Sequence, residues 1–161
     1  MRKLLITLVG VLALGLGAAN AQTIDDTDDT NYYAGGSLGF VTANGPVRGT
    51  LTGHFGLEDV LTDGLDARFD LGVIFGTGLN IGANALYNIE IEEESEFGIY
   101  VGGGPRLYFG DEALFGLGIR AGGNYEFNDV TVAFAELRLD PVFGSTTTTL
   151  IGIGVGANYY F

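Results

Sequence analysis

Leu150-Ile151-Gly152-Ile153-Gly154-Val155-Gly156-Ala157-Asn158-Tyr159-Tyr160-Phe161 alternates without a break. Ile151, Ile153, Val155, Ala157, Tyr159 and Phe161 share one face. Gly152, Gly154, Gly156, Asn158 and Tyr160 share the other. A period of two belongs to a strand, because successive side chains leave a pleated backbone on opposite sides.

The same pattern recurs upstream, and the spacing predicts seven more strands: about 32–42, 47–57, 65–75, 79–91, 96–109, 113–127 and 130–140. Short turns join them. Asn44-Gly45 is a strong hairpin signal, and Asn128-Asp129 another candidate. Pro105 falls inside the fifth strand, where a missing N–H predicts a bulge at Gly103-Gly104-Pro105. The longest turn expected beyond the leader is Pro141–Thr148. Glycine makes up 28 of 161 residues while 47% of the chain is hydrophobic. That excludes both a helical protein and an acidic disordered one, and fits strands with one crowded face.

Alternation alone leaves open which face meets water. A soluble barrel buries its apolar face, whereas a membrane barrel turns it outward and keeps a polar lumen. Three features favour the membrane. The strands match the roughly 9–11 residues needed to cross a bilayer at a tilt. Aromatics on the apolar face gather at strand ends, with Tyr32, Phe97, Tyr125, Tyr159 and Phe161 at one rim and Phe40, Phe75, Phe109 and Phe115 at the other. Finally, Arg48, Arg68, Arg106, Arg120 and Arg138 all take the glycine-rich parity. A lipid-facing arginine near midplane costs about 2–4 kcal/mol, so in a membrane barrel all five must point inward.

Residues 1–21 read as a secretory signal: Met1-Arg2-Lys3, an apolar run too short to span a bilayer, and Ala19-Asn20-Ala21 as the cleavage site. Its removal takes the formal charge from −13 to −15 and leaves five arginines and no lysine. So acidic a chain is a poor partner for nucleic acid. The absence of cysteine excludes disulfides and thiolate chemistry. Residues 22–31 form an acidic leader. Its Asp25, Asp26, Asp28 and Asp29 lack the glycine and closing glutamate of an EF-hand, which favours a solvated tail.

The signal, the eight alternating segments and the terminal aromatic pattern together resemble small eight-stranded bacterial outer-membrane proteins of the OmpA-transmembrane-domain, OmpX and opacity type. The resemblance implies an all-β, antiparallel up-and-down barrel over residues 32–161. It implies insertion among outer-membrane lipids, with periplasmic chaperones and the barrel-assembly machinery as partners, and both termini in the periplasm. It also implies that Tyr159 and Phe161 serve as the assembly signal. In that orientation most carboxylates, among them Glu58, Asp59, Asp63, Glu92, Glu93, Glu94, Glu126 and Asp129, lie on the periplasmic side. Those family members commonly carry long external loops, which this chain lacks.

The lumenal parity carries the chemistry. Asp66-x-Arg68-x-Asp70 and Glu136-x-Arg138-x-Asp140 each place acid, base and acid on one face, four strands apart. With Arg48, Arg106 and Arg120 they form a candidate charge network, in which register about the Asn128-Asp129 turn would put Arg120 opposite Glu136. Tyr33-Ala34-Gly35-Gly36 and Tyr100-Val101-Gly102-Gly103 hint at a duplicated four-strand unit, although shared packing demands would produce the same likeness.

The candidate functions are a structural barrel with a charge-plugged lumen, a narrow channel for small solutes or ions, a lipid-cutting enzyme and a soluble binding barrel. Enzymatic action is disfavoured. His54 has lumenal parity, and Ser37, Ser95 and Ser145 sit on no strand that evidently joins it to an acid. A single histidine without cysteine disfavours a transition-metal site, and no cofactor is expected.

Overall fold

A computed structural model describes residues 32–91 and 95–161. The expected signal peptide, the acidic leader and Glu92–Glu94 lie outside the described residues. Eight strands follow in order: β1 (Tyr32–Thr42), β2 (Arg48–Leu57), β3 (Leu65–Ile74), β4 (Gly78–Glu90), β5 (Phe97–Phe109), β6 (Ala113–Asn128), β7 (Thr131–Phe143) and β8 (Thr148–Tyr160). Each pairs antiparallel with its neighbours, and β8 closes on β1. The closing ladder runs from Tyr33↔Tyr160 to Thr42↔Ile151, so the alternating terminal stretch seals the sheet.

Partners traced once round the barrel from Tyr32 pass through Leu57, Ala67, Ala85, Gly103, Ile119, Leu139 and Ile151 to reach Thr42. The ring closes ten residues out of step. Over eight strands this stagger tilts the strands by about 40°, and the tube is only wide enough for side chains to fill.

The faces divide as parity dictates. Ile151 and Ile153 are 55% and 54% exposed, while Arg106 and Arg120 are 1% exposed. The outside is a belt of Leu, Ile, Val and Phe, and the charges are inside. A soluble barrel is the inverse of this arrangement, so the soluble binding-barrel reading is set aside. At the end bearing the termini, Tyr32 stacks near Phe161, and Phe97 packs on Tyr125. Phe115 pairs with Phe143 at the far end.

Three local expectations need correction. No register shift occurs at Gly103-Gly104-Pro105; the β5–β6 ladder runs straight through Pro105↔Leu117. The β4–β5 ladder merely lapses between Gly82↔Arg106 and Ala85↔Gly103 and resumes in step. The proline forfeits pairing with one neighbour, and no extra residue is needed. Pro141 behaves alike: it pairs with Thr149 within β7, which continues to Phe143. The expected Pro141–Thr148 turn therefore shrinks to residues 144–147. The irregularity that does occur lies in β6, between Glu126 and Asn128. There the turn is Asp129-Val130, one residue later than the Asn128-Asp129 turn expected.

Candidate functional site: the lumenal charge network

The lumen is filled in three levels. Val41, Ile74, Tyr108 and Val142 form an apolar layer toward the end away from the termini, with Leu114 and Leu150 against it. Leu86, Tyr100 and Phe134 form a second layer toward the other end. Between them lie the ionised groups. Each apolar layer lends a tyrosine to the middle: Tyr108 donates to Asp140 Oδ2 at 2.7 Å, and Tyr100 to Glu136 Oε2 at 3.0 Å.

Asp70 on β3 is the hub. His54 Nδ1 lies 2.8 Å from its Oδ1, and Arg68 Nε 3.0 Å from the same oxygen. Its Oδ2 accepts from Asn84 Nδ2 at 2.9 Å and from Arg106, which also donates to Asn80. Arg68 then reaches across to β7, where its Nη2 donates to Glu136 Oε2 at 2.6 Å. Arg120 donates to Asp140 Oδ1 at 2.7 Å and lies 3.5 Å from Glu136 Oε1. Arg138 Nε stands 3.7 Å from Asp140 Oδ2. Four guanidiniums and three carboxylates thus tie β3, β5, β6 and β7 together.

Glycine makes this possible. A Cβ at Gly82 would stand 2.8 Å from Arg106, one at Gly118 2.9 Å from Arg120, and one at Gly152 2.7 Å from Arg138. Each of these arginines therefore lies flat over a backbone with no side chain beneath it.

Not every candidate joins the network. Arg48 has lumenal parity but sits at the rim, half-buried, where Nη1 donates to the Gly76 carbonyl at 2.7 Å. Asp66 is buried, yet it accepts from Asn88 Nδ2 at 2.8 Å and from the Asp59 amide at 3.4 Å, on the terminus-bearing side. Arg120 is opposite Arg138, and Glu136 opposite Gly122. The turn at Asp129-Val130 moves β7 by two places from the register expected, so Arg120 meets Glu136 diagonally and Asp140 more closely.

One constellation was not anticipated. The hydroxyl of Ser37 on β1 lies 2.9 Å from His54 Nε2, completing a serine–histidine–aspartate line across β1, β2 and β3. Nδ1 faces the Asp70 carboxylate and Nε2 faces the Ser37 hydroxyl. The expectation that no serine joined His54 to an acid is therefore corrected. His54 faces Asp70 directly, while Arg68 faces Gly56. The cavity beside Ser37 measures about 20 Å³ and is bordered by Thr50, Thr52, Phe134 and Arg138. A space of that size holds about one water, so the line cross-links three strands and has no room for an acyl substrate. Tyr159 and Phe161 point outward at the rim, and the Phe161 amide donates to the Tyr32 carbonyl at 2.9 Å.

No protein-family model matches the sequence, and no curated protein matches it. Solved structures do. Neisserial surface protein A superposes with a TM-score of 0.61 at 15% identity, over 83% of this chain and 98% of that one. The N-terminal barrel domain of Pseudomonas aeruginosa OprF gives 0.54 at 20% identity, over 79% and 97%. A de novo designed transmembrane β-barrel gives 0.57 at 12% identity, over 86% and 100%. With its closed ring, apolar exterior and ionised interior, this chain has the fold of the small eight-stranded transmembrane β-barrels found in the bacterial outer membrane.

Proposed function

We propose that the protein is an integral outer-membrane barrel with a structural, envelope-stabilising role and a lumen plugged by its own charges. One observation carries this reading: the ion-paired layer is continuous from β3 to β7 and capped by an apolar layer on each side. Water or ions would have to break several buried pairs at once to pass, and each orphaned charge costs about 3–5 kcal/mol. Outer-membrane lipids are then its main partners, contacting the Leu, Ile and Phe belt. Periplasmic chaperones and the barrel-assembly machinery would handle the unfolded chain, with Tyr159 and Phe161 as the recognised ending. The non-enzymatic reading rests on the sealed lumen and the one-water cavity at Ser37.

A narrow channel for small solutes or ions is the alternative. It draws on the surplus of guanidinium in the network, where Arg138 Nη2 and Arg120 Nη2 lack acceptors and could re-pair. Planar-bilayer recording separates the two. The plug predicts no steady openings above baseline at neutral pH; reproducible openings of uniform size would overturn it in favour of the channel.

A further inference from the structure

Two prolines on the outward parity interrupt the barrel wall at one height. Among the described residues, the ladders lapse in mid-strand and resume in step at two places. One lies between Gly82↔Arg106 and Ala85↔Gly103, the other between Gly116↔Val142 and Ile119↔Leu139. The first gap leaves Ala83 without a ladder partner at Pro105, and the second leaves Leu117 without one at Pro141. Pro105 and Leu117 are themselves partners across β5 and β6. The gaps therefore flank the β5–β6 hairpin on its two sides at the same level. Within the hairpin the ladder is unbroken from Phe97↔Tyr125 to Phe109↔Ala113. At the level of the gaps Gly104 faces Gly118, so the hairpin has no side chain there to stiffen its lumenal side. Backbone groups in lipid have no water to replace a lost partner, which makes each gap a weak place in the wall.

We infer that the far end of this hairpin, residues 107–115, is a hinged flap that closes the mouth away from the termini. Beyond the gaps its ladder partners are Leu79, Asn80 and Ile81 on β4, and Phe143 on β7. The flap carries Tyr108 and Leu114 of the apolar layer that seals this end, where they meet Val41, Ile74 and Val142. A cavity of about 320 Å³ borders its tip, residues 110–112, and the β3–β4 turn at Thr77 and Gly78, which leaves the tip loosely packed on that side. Arg106 stands at the hinge and is anchored to Asp70 and Asn80. Movement of the flap therefore draws Tyr108 away from Asp140 and leaves the Arg68–Glu136 pair in place. The inference goes beyond the plugged-lumen reading without depending on it: an open flap admits water as far as Asp140, with the deeper pairs still closed. Segments tied down by so few cross-strand bonds open well before the whole barrel unfolds.

Amide hydrogen exchange, read by NMR on the refolded chain in neutral detergent micelles, tests this. Hydrogen bonds of successive strand residues go to opposite neighbours. Pro105 lacks its pair on the β4 side, so Leu107 and Phe109 share that side and bond to β4, while the Tyr108 and Gly116 amides bond inside the hairpin. Phe115 and Phe143 bond across β6 and β7. A flap that swings as a unit exposes Leu107, Phe109, Phe115 and Phe143 together. Their protection should be equal, and about tenfold or more below that of Phe40 and Val41, which lie near a turn at the same end in unbroken ladders. Tyr108 and Gly116 should stay as protected as Phe40. Pro141→Ala returns an N–H to the gap at Leu117 and should slow exchange at Phe115 and Phe143 severalfold, whereas Pro46→Ala, in the β1–β2 turn, should leave them unchanged. Heat-shift electrophoresis verifies folding, and Pro105→Ala, read at Leu107 and Phe109, decides the matter if the Pro141 variant does not fold. The inference fails if the flap amides are protected like Phe40 and Val41, or if the folded proline variants exchange like the parent. It fails equally if protection rises smoothly away from the turn with Tyr108 and Gly116 as exposed as their neighbours, which is simple fraying.

Discussion

Arg68 on β3 and Glu136 on β7 meet across the lumen with 2.6 Å between Nη2 and Oε2, joining strands that share no ladder. Sheet hydrogen bonds hold each strand to its neighbours, whereas this pair holds opposite walls together. Glu136 also accepts from Tyr100, and Arg68 also touches Asp70, so the contact is a node of a network.

Removing one side of that node exposes its value. Glu136→Ala leaves Arg68 and Arg120 short of a carboxylate in a buried site, which costs about 3–5 kcal/mol. Glu112→Ala, at an exposed turn, is expected to stay within about 0.5 kcal/mol. Urea unfolding from micelles, followed by heat-shift electrophoresis, measures both. Equal midpoints would show that the pair contributes nothing.

The glycines beneath the arginines make a second prediction. Gly118→Val drives a side chain toward Arg120 and Asp140, and overpacking of this kind costs about 1–3 kcal/mol. At Gly123 a Cβ meets its nearest neighbour, the Gly98 carbonyl, at 3.6 Å, so Gly123→Ala should be nearly neutral. The same unfolding assay ranks them, and the reverse order would contradict the packing described.

Parity explains why so much of this could be read from residues alone. One slip of register turns every side chain of a strand to the other face, so the chain cannot place Arg68, Arg106, Arg120 and Arg138 inside while Ile153 and Leu137 also lie inside. The alternation therefore decided the strands and which charges share a face, and strand length, the aromatic rims and the arginines on that parity turned the face inward. It could not decide which charges touch. That depends on the turns: placing one at Asn128-Asp129 instead of Asp129-Val130 exchanges Arg138 for Glu136 opposite Arg120. Ser37, His54 and Asp70 were hidden for the same reason. The seven-residue segment 58–64, with Asp59 and Gly64 at positive φ, sets the β2–β3 register in a way no simple turn rule yields. Prolines misled differently, because their cost in a ladder falls on one side only.

The serine–histidine–aspartate line makes a third prediction. Because the adjoining cavity is about the size of one water, a fluorophosphonate should leave Ser37 unmodified in the folded protein, as read by intact mass. An adduct on Ser37 that disappears with His54→Gln would show that the lumen opens and the line is reactive.

The most direct test of the central claim compares methyl groups on the two faces. In micelles with protonated acyl chains and an otherwise deuterated protein, the Ile119 and Ile153 methyls should show strong nuclear Overhauser contacts to the chains, because both lie on the exposed outer face. The Ile74 and Val142 methyls, buried in the lumen, should show none. Acyl-chain contacts at Ile74 and Val142, with Ile119 and Ile153 silent, would mean that the barrel is inside out from the account given.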